Sequence, residues 1–431
     1  MRAHSSCLLA LLLAACAAGP TPRAPAPSPS ALPPVSAKTP LPTPSPAPTA
    51  DPASLSADDE HADAHASNAF TAKLYARLKR APGNVMISGT SARHALALAA
   101  LGARGDTARE MLSTLEVPTD PAKQVAVAKA ETAAWQDARG SAELVLADRL
   151  WSDKALTLKD DFTSAASAAF GASAATVDFA NAPDVARRSI NAWVAEQTSN
   201  KVPDLLPEGM VDTRTRLLVT DAIYFKARWS APFTPSATKE EPFTTARGRA
   251  AKVPTMHDTA LHRFAQVGTT KLLVMRYSGA RLAMLIALPD DVAGLAKLEE
   301  SLSADTFEAW TKALAPQRVA ISLPRFAFKW GGPLDVALQD LGMRAAFSSK
   351  ADFSGIAEPS VQVSHVIQKT WVSLDENGTE AAAASGVAMS VTAALSGPIA
   401  DFKADHPFLF FVYDDKRGRI LFAGRINDPK P

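Results

Sequence analysis

Hydrophobic positions along the chain follow two rhythms, one helical and one alternating, and neither recurs in a regular order. In "LSADDEHADAHASNAFTAKLYARLKR" the apolar residues Phe70, Leu74 and Leu78 fall at helical spacing and predict one buried helix face. Ser56 is placed to cap that helix, and Asp58–Glu60 sets acidic charge in its first turn. A short apolar strand, Val85–Ile87, leads into a helix that opens on Ser-Gly-Thr-Ser, and "ARGDTAREML" begins another. Helical patterns return in "DDFTSAASAAFGA", "DVARRSINAWVAEQTSNKV", "SADTFEAWTKAL" and "LDVALQDLG". Strands are predicted in "TRLLVTDAIYFKARW", "KLLVMRYSGARLAMLIALP", "VAISLPRFAFKW", "VIQKTWVSL" and "HPFLFFVYD". Long strands with helices neither interleaved nor repeated argue for an α+β fold rather than a doubly wound one. No linker composition interrupts residues 55–431, so they are expected to form one domain.

Composition changes the picture mainly at the N-terminus. The chain has 431 residues, 47% of them hydrophobic, which is ample for a large core. Its formal net charge of +1, with no long Lys/Arg block, argues against nucleic acid as a partner. Both cysteines, Cys7 and Cys16, lie at the extreme N-terminus, so the folded region has no thiol, disulfide or cysteine-metal chemistry. Arg2 and His4 precede the apolar run Cys7–Leu13, which is too short to span a bilayer and reads as a signal peptide over residues 1–15. The segment "LAAC", Leu13–Cys16, resembles a bacterial lipobox, which implies that Cys16 is acylated and anchors the exported protein to the cell envelope. Residues 16–54 are then a Pro/Ala-rich tether that cannot bury enough apolar surface to fold. In polyproline II form, at ~3.1 Å per residue, it reaches on the order of 100 Å.

Enzyme signatures are missing from the sequence. There is no G-x-S-x-G elbow, H-E-x-x-H pair, P-loop or dinucleotide fingerprint. His61 and His65 share a helix face, but further ligands are not in sight, so a solvated face is expected and no metal or other cofactor. "VSLDENG" superficially suggests a calcium loop, yet alanines stand where later oxygen ligands belong. On these grounds the chain is an envelope-tethered globular domain that is not an enzyme.

Longer motifs say more. "NAWVAEQTSNKVPDLLP", "LLVTDAIYFKARWSAPF", "SLPRFAFKW", "LGMRAAFSSKADFSGI", "DENGTEAAAASG" and "DHPFLFFVYDDKRGRILFAGRINDP" resemble the serpin family in order and spacing, over about residues 58–429. The resemblance implies three β-sheets with about eight or nine helices and an exposed reactive loop. It also implies a monomer whose partner is a serine protease. The protease serine attacks a bait bond and forms an acyl-enzyme, and the loop then inserts as a new strand and distorts the catalytic site. By the same resemblance the hinge is Glu376, Gly378, Thr379, Glu380, Ala381, Ala382 and Ala383. The bait bond, fourteen residues beyond Gly378, is Thr392–Ala393. Ser88 and Ser91 match the segment beneath the sheet that acts as its shutter, and Trp229 matches the tryptophan at the breach where the hinge enters. Three positions depart from the family: Gly89 replaces a usual proline, Asp221 a usual asparagine and Gln368 a usual histidine. A Gln amide can donate to a carboxylate, so Gln368 and Asp221 are expected to close the shutter as a pair.

The loop itself passes a strand test. Counted from Thr379, the inward face is Thr379, Ala381, Ala383, Ser385, Val387 and Met389, with no charge and no proline. Glu380 faces outward. About a dozen new ladder bonds at ~0.5–1.5 kcal/mol each give roughly 10 kcal/mol before entropy. Small residues around the bait bond suit a shallow apolar primary pocket, as in elastase-like or subtilisin-like enzymes. Two other readings stay open: a non-inhibitory serpin that acts as a binding or chaperone-like module, and an inhibitor of papain-like cysteine proteases.

Overall fold

A computed structural model describes residues 55–171, 174–359, 361–379 and 398–430. The Ser56 side chain accepts from the Asp59 amide while Asp59 reaches back to the Ser56 amide, a capping box that starts the helix Ala57–Leu78. Phe70 and Leu74 are fully buried on its inner face, and Leu78 packs at the edge of the same cluster. The next helix, Gly89–Ala100, is buried at every position except Ala97, as expected of a helix that runs through a core. A Cβ on Gly89 would lie 2.5 Å from the Thr71 Cα, so the glycine permits the close approach of these two helices.

The strands form three sheets among the described residues. The nine-stranded sheet runs, from one edge, Val85–Ile87, Arg419–Ile426, Phe408–Asp414, Leu282–Pro289, Thr270–Arg276, Ala250–Val267, Ala315–Pro324 and Ala400–Lys403, with Lys239–Thr244 also beside Ala250–Val267. Leu282–Pro289, Phe408–Asp414 and Arg419–Ile426 are buried at every position, because both faces of the sheet are covered there. A six-stranded main sheet has the order Phe326–Pro333, Val363–Asp375, Gly378–Thr379, Leu217–Arg228, Glu143–Asp153 and Ala175–Val177. Ala357–Glu358 and Thr157–Leu158 make the small third sheet.

Three predicted elements break where local chemistry demands it. The run "KLLVMRYSGARLAMLIALP" is a hairpin, Thr270–Arg276 and Leu282–Pro289, turned at Gly279 with φ +62°. The run "VAISLPRFAFKW" splits between two sheets: Ala315–Pro324 pairs with Ala250–Val267, and Phe326–Pro333 pairs with Val363–Asp375. Pro324 has no amide to continue the ladder, and Arg325 N donates instead to Pro254 O at 2.9 Å. The helix expected over 184–202 is Pro183–Gln197, and the chain leaves it through Ser199 and Asn200 with φ of 49° and 61°.

Candidate functional site at the seam of the main sheet

Two long strands define the seam. Val363–Asp375 runs parallel to Leu217–Arg228 from Val363↔Leu217 to Trp371↔Tyr224. Beyond that pair the strands part, and Gly378–Thr379 lies between them, antiparallel to both. Thr379 is opposite Leu374 on one side and Ala227 on the other. The chain reaches this position through a tight turn in which Asp375 Oδ1 accepts from the amides of Asn377 at 2.7 Å and Gly378 at 3.2 Å. A Cβ on Gly378 would stand 2.0 Å from the Ala227 carbonyl oxygen, so only glycine fits.

Aromatic rings close the open end of the seam. Trp229 is buried, donates its Nε1 to Asp375 O at 3.1 Å and its amide to Asn377 O at 2.8 Å, and stacks on Tyr277 with centroids 4.5 Å apart. The Tyr277 hydroxyl and Thr379 Oγ1 are 2.8 Å apart, and both residues are buried. Burial raises the Tyr277 pKa far above the ordinary phenol value, which keeps the hydroxyl neutral. Glu376, 3% exposed, accepts from Arg325 Nε at 2.8 Å, from Arg325 Nη2 and from Thr238 Oγ1. Burial alone would raise the Glu376 pKa, but these donors outweigh it and hold it below the ordinary carboxylate range.

Halfway down the seam the contacts are polar. Gln368 and Asp221 are register partners on the two strands, and Gln368 Nε2 donates to Asp221 Oδ2 at 2.6 Å. Gln368 also donates to Ser88 O at 2.8 Å and accepts from Ser88 N at 3.1 Å, so its amide is saturated. Ser91 Oγ lies 2.8 Å from Asp221 Oδ1 and 3.0 and 3.1 Å from the two oxygens of Asp148. Asp148 is opposite Asp221 across the neighbouring strand pair. One hydroxyl cannot donate to two carboxylates, so the cluster needs a shared proton. Burial and the Asp221 charge push Asp148 well above the usual carboxylate range, and burial lifts Asp221 to about 6. Asp148 therefore holds the proton at neutral pH.

The seam brings together Glu376, Gly378, Thr379, Trp229, Ser88, Ser91, Asp221 and Gln368. Glu380, Ala381, Ala382, Ala383, Thr392, Ala393 and Cys16 lie outside the described residues. Three residues of the site were not anticipated from sequence: Asp148, Tyr277 and Arg325. His65 Nε2 meets Asp305 Oδ1 at 2.8 Å on the surface, and no group of metal-ligating side chains occurs among the described residues.

Comparison with known proteins places this geometry in a class. The family "Serpin (serine protease inhibitor)" matches residues 65–429. Leukocyte elastase inhibitor of Bos taurus is 38% identical over 356 residues, which covers 80% of this chain and 93% of that one. An uncharacterized serpin-like protein of Thermococcus kodakarensis is 37% identical, covering 85% of each chain. Among solved structures, Serpin48 of the insect Tenebrio molitor superposes with a TM-score of 0.76 at 30% identity, over 85% of this chain and 98% of that one. The chain belongs to the serpin family and has the serpin fold.

Proposed function

We propose that the protein is a lipid-anchored serine-protease inhibitor that works by inserting its own cleaved loop into the main sheet. The observation that carries this reading is the placement of Gly378–Thr379. The start of the loop already forms a two-residue strand between Leu217–Arg228 and Val363–Asp375, at the end where those strands part. A strand continued from Thr379 separates the two and gains backbone bonds on both sides. The bait bond is Thr392–Ala393, and its small side chains, together with relatives named leukocyte elastase inhibitor, favour an elastase-like target. The protease serine attacks that carbonyl, the amine of Ala393 leaves, and strand growth from Thr379 pulls the acyl-enzyme down the sheet before water completes the cycle. Acylated Cys16 and the tether after it hold the inhibitor at the bacterial envelope. The spacing "LAAC" supports this assignment, and no helix among the described residues is long and apolar enough to cross a membrane.

Incubation with an elastase-like serine protease tests the reading. A complex that survives denaturing electrophoresis, with a released peptide beginning at Ala393, is expected. Cleavage without complex indicates a non-inhibitory member, and complex with papain-like cysteine proteases alone moves the target class. Cys16→Ser should release the protein from the membrane fraction. Retention of the correctly processed variant there removes the anchor from the proposal.

A further inference from the structure

A second site opens on the free edge of the main sheet, apart from the seam. Glu143–Asp153 pairs with Leu217–Arg228 along one side, but on its other side Ala175–Val177 covers only Trp151–Asp153. Next to the uncovered stretch lies a cavity of about 380 Å³, bounded also by the helices Gly89–Ala100, Pro121–Arg139 and Pro183–Gln197. Its size is that of a small-molecule site. Phe170, Trp135 and Trp193 give it aromatic walls. Alternate backbone amides of an antiparallel strand point away from its partner, so the uncovered edge offers donors to the cavity.

Arg149 is the charge in this wall that lacks a counterpart. It is partly buried, it forms no ion pair among the described residues, and its Nε is buried without a hydrogen-bond partner. Its guanidinium sits 4.0 Å from the Trp193 ring centroid, which fixes the plane and leaves the cation beside the cavity. Burial without an anion nearby lowers the Arg149 pKa. Thr132 Oγ1 and Trp135 Nε1, from two other lining residues, are also buried without partners. Buried donors with no acceptor are uncommon in folded proteins and carry a desolvation cost that a ligand can relieve. Asp148 also lines the cavity, but the proton it holds beside Asp221 makes it neutral toward an arriving anion.

We infer that this cavity binds a small planar aromatic carboxylate, with its carboxylate on Arg149 and its ring between Trp193 and Phe170. Charge and shape both enter the choice. The unpaired guanidinium selects a planar anion that accepts two parallel hydrogen bonds, and the aromatic walls select a flat apolar body. Nothing in the seam or the loop takes part, so binding is measured without reference to protease inhibition.

The test is isothermal titration of the full-length chain with 2-naphthoate and with its neutral counterpart 2-acetylnaphthalene, followed by 2-naphthoate with Arg149→Met. One saturable site is expected for 2-naphthoate. Both the neutral compound and the variant should bind at least tenfold more weakly. The comparison of the two compounds uses the unmodified protein, so it stands even where Arg149→Met fails to fold. Absence of saturable binding overturns the inference. So does a loss of less than tenfold for the neutral compound or for a folded Arg149→Met.

Discussion

The two ends of the seam use carboxylates in opposite ways. At the breach, Glu376 is surrounded by donors from Arg325 and Thr238, and its proton is held off. At the shutter, Asp221 and Asp148 face each other across one serine hydroxyl with no cation in contact, and a proton is held on. Acidification therefore loosens the breach and tightens the shutter. A single seam thus has two locks with opposite response to pH, and the lower one crosses the seam directly because Gln368 and Asp221 are register partners. Opening the strands requires that bond to break, whereas the breach is already wedged apart by Thr379.

The comparison breaks most completely at Thr379. Thr379→Arg puts a guanidinium where a fully buried hydroxyl meets Tyr277, with no acidic group described in contact there. Burying an unpaired charge costs several kcal/mol, a large share of the roughly 10 kcal/mol assigned above to insertion. The variant should still be cleaved by an elastase-like protease, but trapped complex should fall about tenfold or more relative to cleaved product. An unchanged ratio on a denaturing gel would show that insertion does not pass through this hinge.

Gln368→Leu comes next, since it strips the amide that serves Asp221 and both backbone groups of Ser88. Buried groups left unpaired cost about 2–4 kcal/mol in total, so chemical denaturation should show a clear loss of stability at neutral pH. A loss under about 0.5 kcal/mol would mean that the latch contributes little.

The pH response sharpens the comparison. Asp221 rises from 3.8 to about 6 on folding, so its favourable contribution is complete below the unfolded pKa and is lost as pH climbs through 6. Asp221→Asn keeps a hydrogen-bonding side chain without the charge. Its stability relative to the parent should therefore increase between pH 5 and pH 8, by up to about 3 kcal/mol. Glu376→Gln should behave in the reverse sense and more weakly. The lowered pKa means that Glu376 stabilises above the unfolded carboxyl pKa of 4.5 and loses that contribution as pH falls through the folded value. A deficit of about 1 kcal/mol at pH 7 that shrinks toward pH 4 is expected, because the Arg325 side chain is 34% exposed and solvent screens it. Parallel pH trends for the two variants, measured by urea unfolding, would refute the opposed locks.

Much of this seam was legible from residue types alone. The Gln368–Asp221 bond followed from one amide facing one carboxylate, and Gly378 and Thr379 followed from a long motif with few alternatives. What escaped was set by register between distant strands. Asp148 sits in Glu143–Asp153, whose aliphatic and polar residues show no clear alternation, and only the pairing opposite Leu217–Arg228 reveals it as a partner of Asp221. Tyr277 lay inside what looked like one long strand, and the hairpin at Gly279 carries it to Trp229. Arg325 marks the break between two strands, a role its side chain does not advertise. The helix Pro121–Arg139 was also missed, although Asp120 before Pro121 is a good start signal, because its buried face is mostly alanine and weakly patterned.

One consequence of the Thr379 pairing reaches into the loop. Thr379 fixes the phase of any strand grown from it, opposite Leu374 and Ala227. Six residues further along the loop stands Ser385, and six residues back along each neighbour stand Gln368 and Asp221. A strand extended without slippage therefore delivers a hydroxyl between the two side chains whose bond it must sever. Ser385 has a donor for the carboxylate and an acceptor for the amide, so the incoming chain carries its own replacement for the broken latch. By the same count, one residue added between Thr379 and Ser385 would bring Ala384 to that place and turn Ser385 to the other face. The loop is thus written in step with the lock it opens.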